Sequence, residues 1–206
     1  MVFDAVSWRE YELIGRAFQN RPIKITYDRG RLEIMTLSFK HERRKHLLCA
    51  LLMALVEVLG SEVLGAGGMT FKRKEKKKGL EPDECFWIQH EAIMRGKREF
   101  DITADPPPDL VLEVEVSRSV LDRLGIYAAF DIPEVWRCGG PGIRVCHLVN
   151  GEYQETDRSF AFPFLNPTAL RQFLDQHEDL GEVALTKTFR EWVQSQIAAG
   201  WPNGGV

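Results

Sequence analysis

The sequence predicts an α/β fold in which helices flank a central mixed β-sheet. Residues 38–60 form the clearest predicted helix, and its second half is apolar on nearly every side, which is typical of a buried helix end. Residues 109–117, DLVLEVEVS, form the clearest predicted strand, and their almost continuous apolar character indicates a sheet covered on both faces. Strands and helices follow one another along the chain, which suits a layered α/β architecture.

The remaining elements are predicted from apolar periodicity and turn signals. Ser7 is a plausible N-cap for a helix at residues 7–18, and residues 24–35 have the alternation of a β-hairpin. The chain at 72–78 is rich in lysine and predicts a solvated, mobile loop. Further predictions are a strand at 80–89, a helix at 119–130, strands at 134–138, 143–149 and within 150–156, and two C-terminal amphipathic helices with cap signals at Asn166, Pro167 and Thr186.

We predict one domain over residues 1–206, because neither an internal repeat nor a linker interrupts the sequence. The N-terminal helix and hairpin occupy 1–37 and a core occupies 38–150. A C-terminal strand and helices follow at 151–199, and 200–206 form a tail.

Composition narrows the classes of function. Hydrophobic residues make up 44% of the 206 residues and the net charge is −3, so a nucleic-acid partner would depend on a local basic patch. No apolar run approaches the roughly 20 residues that span a bilayer, which predicts a protein without a membrane partner. The four cysteines are scattered and form no C-x-x-C pair, which argues against a zinc site and favours reduced thiols in the cytoplasm.

Two glutamates interrupt the clearest strand. Side chains alternate along a strand, so Glu113 and Glu115 share one face and have Cβ atoms about 7 Å apart. Because two like charges this close repel each other, we expect a positive group between them. The alternative is an exposed antiparallel face on which the glutamates pair with surface lysines.

A third acid precedes the neighbouring predicted strand. Asp83 follows Pro82, and if strands 80–89 and 109–117 are neighbours, Asp83 can meet Glu113 and Glu115. Two or three carboxylates form the oxygen-rich site that Mg²⁺ or Mn²⁺ prefers. A metal so placed polarises a phosphate and lowers the pKa of a bound water, which is the chemistry of phosphodiester hydrolysis.

Several motifs in order resemble one family. The segments LEIMTLSFKHE, GLEPDECFWI, DPPPDLVLEVEVS and LDRLGIYAAFDIPEVWR are similar to those of the Uma-two family of restriction-endonuclease-like proteins, within the PD-(D/E)XK nuclease superfamily. The resemblance extends from about residue 7 to residue 195. It implies a restriction-endonuclease-like core with a central mixed sheet, preceded by the N-terminal helix and hairpin and followed by the C-terminal helices.

The resemblance also implies roles for individual residues. Asp83 matches the metal-binding aspartate and Glu113 the second acid, and Glu115 stands where the superfamily usually has lysine. Members of the family place a lysine in the next helix, four residues before a tyrosine; here the two positions are Arg123 and Tyr127. An arginine does not act as a base, so it can only neutralise charge or position phosphate.

Other candidate residues have two interpretations each. His41 and Glu42 match a family position for a further acid near the metal, or they are polar residues of a helix's first turn. Asp109 either belongs to the shell of the site or fixes the strand entrance. Lys72, Arg73 and Lys74 either contact phosphate or form a solvated loop.

The sequence therefore predicts a Mg²⁺- or Mn²⁺-dependent endonuclease that acts on DNA. Asp83, Glu113 and Glu115 would hold the metal, and Arg123 would stand in for the usual lysine. The alternative is a catalytically impaired module on the same fold that binds nucleic acid or another protein. A third possibility is an accessory factor that works only with a partner. We also expect a homodimer, because enzymes of this fold often pair to cut both strands.

Overall fold

A computed structural model describes residues 1–19, 21–116, 119–140 and 142–201. Its first elements are β1 (Val2–Phe3), α1 (Trp8–Ala17), β2 (Ile23–Asp28), β3 (Arg31–Thr36), α2 (Phe39–Leu59), β4 (Leu64–Gly65), β5 (Phe71–Arg73), β6 (Lys78–Leu80) and β7 (Glu84–Trp87). The next are α3 (Glu91–Met94), β8 (Leu110–Val114), α4 (Arg123–Ala128), β9 (Glu134–Gly139), β10 (Gly142–Val149) and β11 (Glu152–Thr156). The last are α5 (Ala169–Asp175), a 3-10 turn (Gln176–Glu178) and α6 (Glu182–Ala198).

The main sheet has six strands in the order β11-β10-β9-β8-β7-β4. Strands β8 and β9 are parallel and are connected through α4, whereas the other neighbouring pairs are antiparallel. The sheet is therefore mixed, as predicted. Helices α2, α5 and α6 cover one face, and α4 covers the other.

The central strand β8 is buried on both faces because the two layers pack on its alternating side chains. Leu110, Leu112 and Val114 face the large core formed with α2, α5 and α6. Val111 faces the second core, beside Tyr127 of α4. Glu113 shares the face of Val111, so its carboxylate points toward α4.

A second sheet of five strands, in the order β1-β3-β2-β6-β5, is built around the predicted hairpin. Tyr11 of α1 stacks on Tyr27 of β2, with ring centroids 4.7 Å apart. Gly79 in β6 leaves room for the Tyr11 ring, since a Cβ atom at residue 79 would clash with the Tyr11 hydroxyl. Helix α1 therefore seals one face of this N-terminal sheet.

The lysine-rich segment is a hairpin, so the prediction of a mobile loop over 72–78 is wrong. Strands β5 and β6 pair antiparallel, and Phe71 lies opposite Leu80. Both side chains are fully buried. Burial of these two flanking apolar residues fixes the hairpin, and only its tip at 74–77 is a turn.

The predicted strand at 80–89 is two strands that belong to different sheets. Strand β6 ends at Leu80 in the N-terminal sheet, and β7 begins at Glu84 in the main sheet. Pro82 has no N–H to donate to a ladder, which suits it to the break. The break places Asp83 at the point where the chain passes from one sheet to the other.

Three further boundaries differ from prediction. The strand predicted at 109–117 ends at Val114, and Ser117 lies outside the described residues. The helix predicted at 119–130 is only Arg123–Ala128, because Asp122 caps it by accepting a hydrogen bond from the Gly125 N–H. Thr186 is not a cap: α6 begins four residues earlier, and the Thr186 hydroxyl donates to the Glu182 carbonyl within the helix. None of the described helices is long and apolar enough to cross a membrane.

Candidate active site

Asp83 is buried where the two sheets meet. One carboxylate oxygen accepts a hydrogen bond from the backbone N–H of Val114, the residue after Glu113. The other accepts one from Nζ of Lys24, which reaches across from β2, and His41 Nε2 lies 3.0 Å from it. This arrangement places Asp83 beside the strand that carries Glu113, as the sequence predicts for neighbouring strands.

The partners of Asp83 determine its charge. Burial raises the pKa of the Asp83 carboxyl, but hydrogen bonds and positive charges from His41 and Lys24 outweigh burial and hold the pKa well below its usual range. Burial lowers the pKa of His41, yet its contacts with Asp83 and Glu42 raise the pKa above the usual value. Asp83 is therefore an ionised carboxylate in a cationic surrounding.

Glu113 lies on the face of β8 that α4 covers, and two side chains of α4 hold it. The Tyr127 hydroxyl donates to Glu113 Oε1, and Nη2 of Arg123 donates to the same oxygen over 2.6 Å. Burial and the negative charge of Glu113 raise the pKa of Tyr127 well above its usual value, so Tyr127 stays a hydrogen-bond donor.

Arg123 bridges three parts of the fold. Besides Glu113, its guanidinium donates to the Thr26 hydroxyl on β2 and to the backbone carbonyl of Glu81, each over 2.7 Å. Burial lowers the pKa of Arg123, but the charges of Glu113 and Asp83 raise it further above its usual value. A permanently charged arginine therefore sits beside the two candidate metal ligands.

Glu115 has different partners from the other two acids. Nε of Arg137 donates to it over 2.6 Å and Nη2 of Arg144 over 2.9 Å. Within the described ranges, no group of three or more His, Cys, Asp or Glu side chains is arranged to hold a metal ion. The three predicted carboxylates are thus distributed among separate sets of basic partners.

A divalent metal ion fits the donor chemistry of Asp83 and Glu113, because both are hard carboxylate ligands. Lys24 and Arg123 already balance the charges of these two carboxylates. Binding of a divalent ion therefore requires a basic side chain to give way.

Of the other candidates predicted from the sequence, His41 and Glu42 lie next to Asp83, whereas Asp109 lies at the start of β8. Glu42, half exposed, accepts from Lys45 Nζ over 2.7 Å and contacts His41, so this pair lies next to Asp83. Asp109 instead fixes the strand entrance: its carboxylate accepts hydrogen bonds from the backbone N–H groups of Ile88 and His90.

The basic segment at 72–74 lies on the β5–β6 hairpin. Nη2 of Arg73 donates to the Ile102 carbonyl over 2.7 Å, and its guanidinium lies over the Phe130 ring. Lys72 and Lys74 are exposed. Arg73 thus has a packing role, and the two lysines stay candidates for nucleic-acid contact.

Sequence reasoning missed Lys24 and Glu33. Lys24, Thr26 and Asp28 share one face of β2, which predicts a solvent-facing side, but Lys24 is only 7% exposed. Glu33 of β3 is also buried and accepts hydrogen bonds from the Ser119 hydroxyl and the Val120 N–H, which ties the segment before α4 to the N-terminal sheet. Neither residue has a distinctive signal in the sequence, because a charged residue on an alternating strand is typical of a solvent-facing side.

A cleft with a volume of about 940 Å³ opens beside Glu113 and Arg123. Its lining includes Glu113, Glu115, Arg123, Arg137 and Arg144. The cleft lies where β8 ends, which is where ligands commonly bind at the carboxyl ends of parallel strands. It is large enough to admit part of a nucleic-acid chain.

Comparison with protein-family models matches residues 8–194 to a family described as "Uma2: Putative restriction endonuclease". A search of the curated proteins gives no match. The family match covers most of the chain and, together with the mixed sheet flanked by helices, confirms the predicted restriction-endonuclease-like fold. It supports a nuclease-like function. The chain belongs to the Uma2 family.

Proposed function

We propose that this protein is a divalent-metal-dependent endonuclease that hydrolyses phosphodiester bonds of DNA. The observation that carries the proposal is the position of Asp83 immediately before β7 and of Glu113 on the neighbouring strand β8, with Arg123 bound to Glu113 in the lining of a cleft. Two carboxylates next to a cationic side chain suit the binding of a divalent ion and a phosphate.

In this proposal Asp83 and Glu113 hold the ion, Mg²⁺ or Mn²⁺. When bound, it would polarise a phosphate and lower the pKa of a water molecule. The third ligand predicted from the sequence, Glu115, is held by two arginines, so we assign it to them and not to the ion.

The protein's own residues would complete the site. Tyr127 fixes the orientation of Glu113 by donating to Oε1. Arg123 supplies a permanent positive charge that can stabilise an anionic phosphate, but it cannot remove a proton from water. His41 and Glu42 would act on Asp83 by orienting it.

A second candidate function is DNA binding without cleavage. It is favoured by the two internal ion pairs, Lys24 with Asp83 and Arg123 with Glu113, which neutralise both carboxylates without a metal. A protein that keeps these pairs closed would contact DNA through the other arginines of the cleft, Arg137 and Arg144, and would not turn over.

The two candidates are separated by one pair of assays. Supercoiled plasmid is incubated with the wild type and with Glu113→Gln in Mg²⁺ or Mn²⁺, and binding of a labelled duplex is measured by anisotropy in EDTA. The endonuclease proposal expects cleavage by the wild type, loss of at least about a hundredfold in Glu113→Gln, and retained DNA binding.

Glu57→Gln is the matched control, because Glu57 is an exposed glutamate on α2 that pairs with Arg190. It should cleave like the wild type. Absence of cleavage by the wild type in both metals, with DNA binding intact, would select the second candidate.

We also propose that the protein forms a homodimer and is located in the cytoplasm. Homodimer formation would bring two sites to the two DNA strands, and sedimentation velocity would measure it. A cytoplasmic location suits the four cysteines, which are free thiols in the structure.

A further inference from the structure

The cleft contains a second group of charges next to Glu113, formed by Glu115, Arg137 and Arg144, which we call the arginine pair and its glutamate. In the register of the main sheet, Glu113 lies opposite Arg137, and Arg137 lies opposite Arg144. Paired residues of neighbouring strands point to the same face. The three side chains therefore form a row across β8, β9 and β10 on the face that carries the candidate site.

The charges of this group do not cancel. Two guanidinium groups share the single carboxylate of Glu115, so the group has a net charge of about +1. Neutralising one glutamate requires one arginine. The second arginine leaves an excess of positive charge at this part of the cleft, where it attracts an anion, whereas Arg123 is paired with Glu113 and Asp122 caps α4.

Donors remain available for a ligand. Within the described part of the chain, Arg137 uses Nε and Nη2 on Glu115, and Arg144 uses Nη2. Each guanidinium has five N–H donors, so both have others free. The side chains of Arg137 and Arg144 are 31% and 37% exposed, which makes them accessible from the cleft.

The glutamate also gives the pair a fixed geometry. Gly139 lies close under Glu115, since a Cβ atom at Gly139 would be 3.3 Å from Glu115 Oε2. Because Glu115 packs against Gly139 and accepts hydrogen bonds from both arginines, it holds both guanidinium groups in place. This reduces the side-chain entropy lost when an anion binds.

We propose that Arg137 and Arg144 form a subsite for a DNA backbone phosphate, adjacent to the phosphate that faces Glu113. This inference rests on the proposed action on DNA. The subsite would position the strand, because arginine forks bind phosphate oxygens with defined geometry. It carries no sequence preference, since phosphate contacts are the same for every base.

The test is the salt dependence of DNA binding in EDTA, where no cleavage occurs. Binding of a fluorescein-labelled duplex is measured by anisotropy for the wild type, Arg144→Gln and Arg137→Gln. We expect each variant to bind about five- to tenfold more weakly at moderate salt. Loss of one phosphate contact should reduce the slope of log affinity against log salt by about 0.9.

Arg190→Gln is the matched control, because Arg190 also pairs with one glutamate and is similarly exposed, but lies on α6. It should bind like the wild type. Glu115→Gln supplies an opposite change: glutamine keeps a side-chain oxygen that accepts hydrogen bonds from the arginines but removes the negative charge, so binding should tighten.

The inference is overturned if Arg144→Gln and Arg137→Gln match Arg190→Gln in affinity and slope, or if Glu115→Gln leaves affinity unchanged, or if the wild type binds no DNA. The first two outcomes are distinct from failure of the proposed function. That failure is the absence of cleavage in Mg²⁺ and Mn²⁺ by a protein whose DNA binding still depends on both arginines.

Discussion

Lys24 and Asp83 form a buried ion pair that joins the N-terminal sheet to the main sheet. Their residues are 7% and 2% exposed, and His41 lies on the same carboxylate. The ammonium group and His41 share one carboxylate oxygen of Asp83, and the backbone N–H of Val114 donates to the other. Any divalent ion that binds Asp83 must therefore compete with a cation that the protein itself supplies.

Replacing Lys24 with Met should strengthen metal binding. The substitution removes the competing charge and keeps a side chain of similar length, so Mn²⁺ affinity should rise at least about tenfold, which corresponds to about 1.4 kcal/mol. Isothermal titration calorimetry with Mn²⁺ measures it. Lys78→Met is the control, because Lys78 forms a similar, partly buried pair with Asp28 away from the site. Equal affinities in the wild type and Lys24→Met would show that Lys24 does not compete.

Replacing Arg123 should destabilise the fold. Arg123→Ala leaves Glu113 buried without its cation, which typically costs about 3–5 kcal/mol. Arg123→Lys keeps the charge but cannot reach Thr26, Glu81 and Glu113 at once, so its loss should be smaller. Urea denaturation gives both values. Arg190→Ala, which breaks an exposed pair, should change stability by no more than about 1 kcal/mol, and a similar value for Arg123→Ala would contradict the account.

Acid should weaken the fold through His147, which lies outside the candidate site. Burial lowers the pKa of His147 below 6.5, although the nearby Glu134 acts in the opposite direction. The ring also stacks on Phe160, with centroids 3.5 Å apart. Because the folded protein holds a proton here less readily than the unfolded chain, this contribution to stability is present above about pH 6.5 and is lost as the pH falls toward the lower folded pKa.

The measurement is the free energy of unfolding of the wild type and of His147→Gln between pH 8 and pH 5. The wild type should lose more stability than the variant over this interval, since glutamine does not titrate. Parallel curves for the two proteins would contradict the expected role of His147.

Much of the fold could be predicted from local patterns. The hairpin alternation, the long helix and the apolar strand at β8 each have a periodicity that packing reinforces. Prediction placed Asp83 next to the strand of Glu113 for the same reason: both acids lie in motifs that adjoin buried strands.

The sequence does not predict that the chain passes from one sheet to the other at Pro82. A local pattern shows where strands form but does not state which sheet each one joins, because that depends on long-range pairing. The same limit explains why the sequence does not predict the burial of Lys24. Its polar face appears solvent-facing until the main sheet covers it, and only the three-dimensional fold brings it to Asp83.

The pairing of Glu115 has a similar origin. A glutamate two residues after Glu113 resembles a further metal ligand in sequence, but Arg137 and Arg144 come from two other strands. Cross-strand register is what assigns these cations to Glu115. Strand alternation and the resemblance to the family both pointed to the acids of the site, whereas their ion pairs depend on tertiary structure.

The most direct test of the central claim, that Asp83 and Glu113 hold one catalytic ion, is a crystal soaked in Mn²⁺ and measured by anomalous diffraction. The account predicts one manganese peak in contact with both carboxylates, with Lys24 displaced from Asp83. A crystal without such a peak, in which Lys24 and Arg123 keep their carboxylate partners, would contradict it.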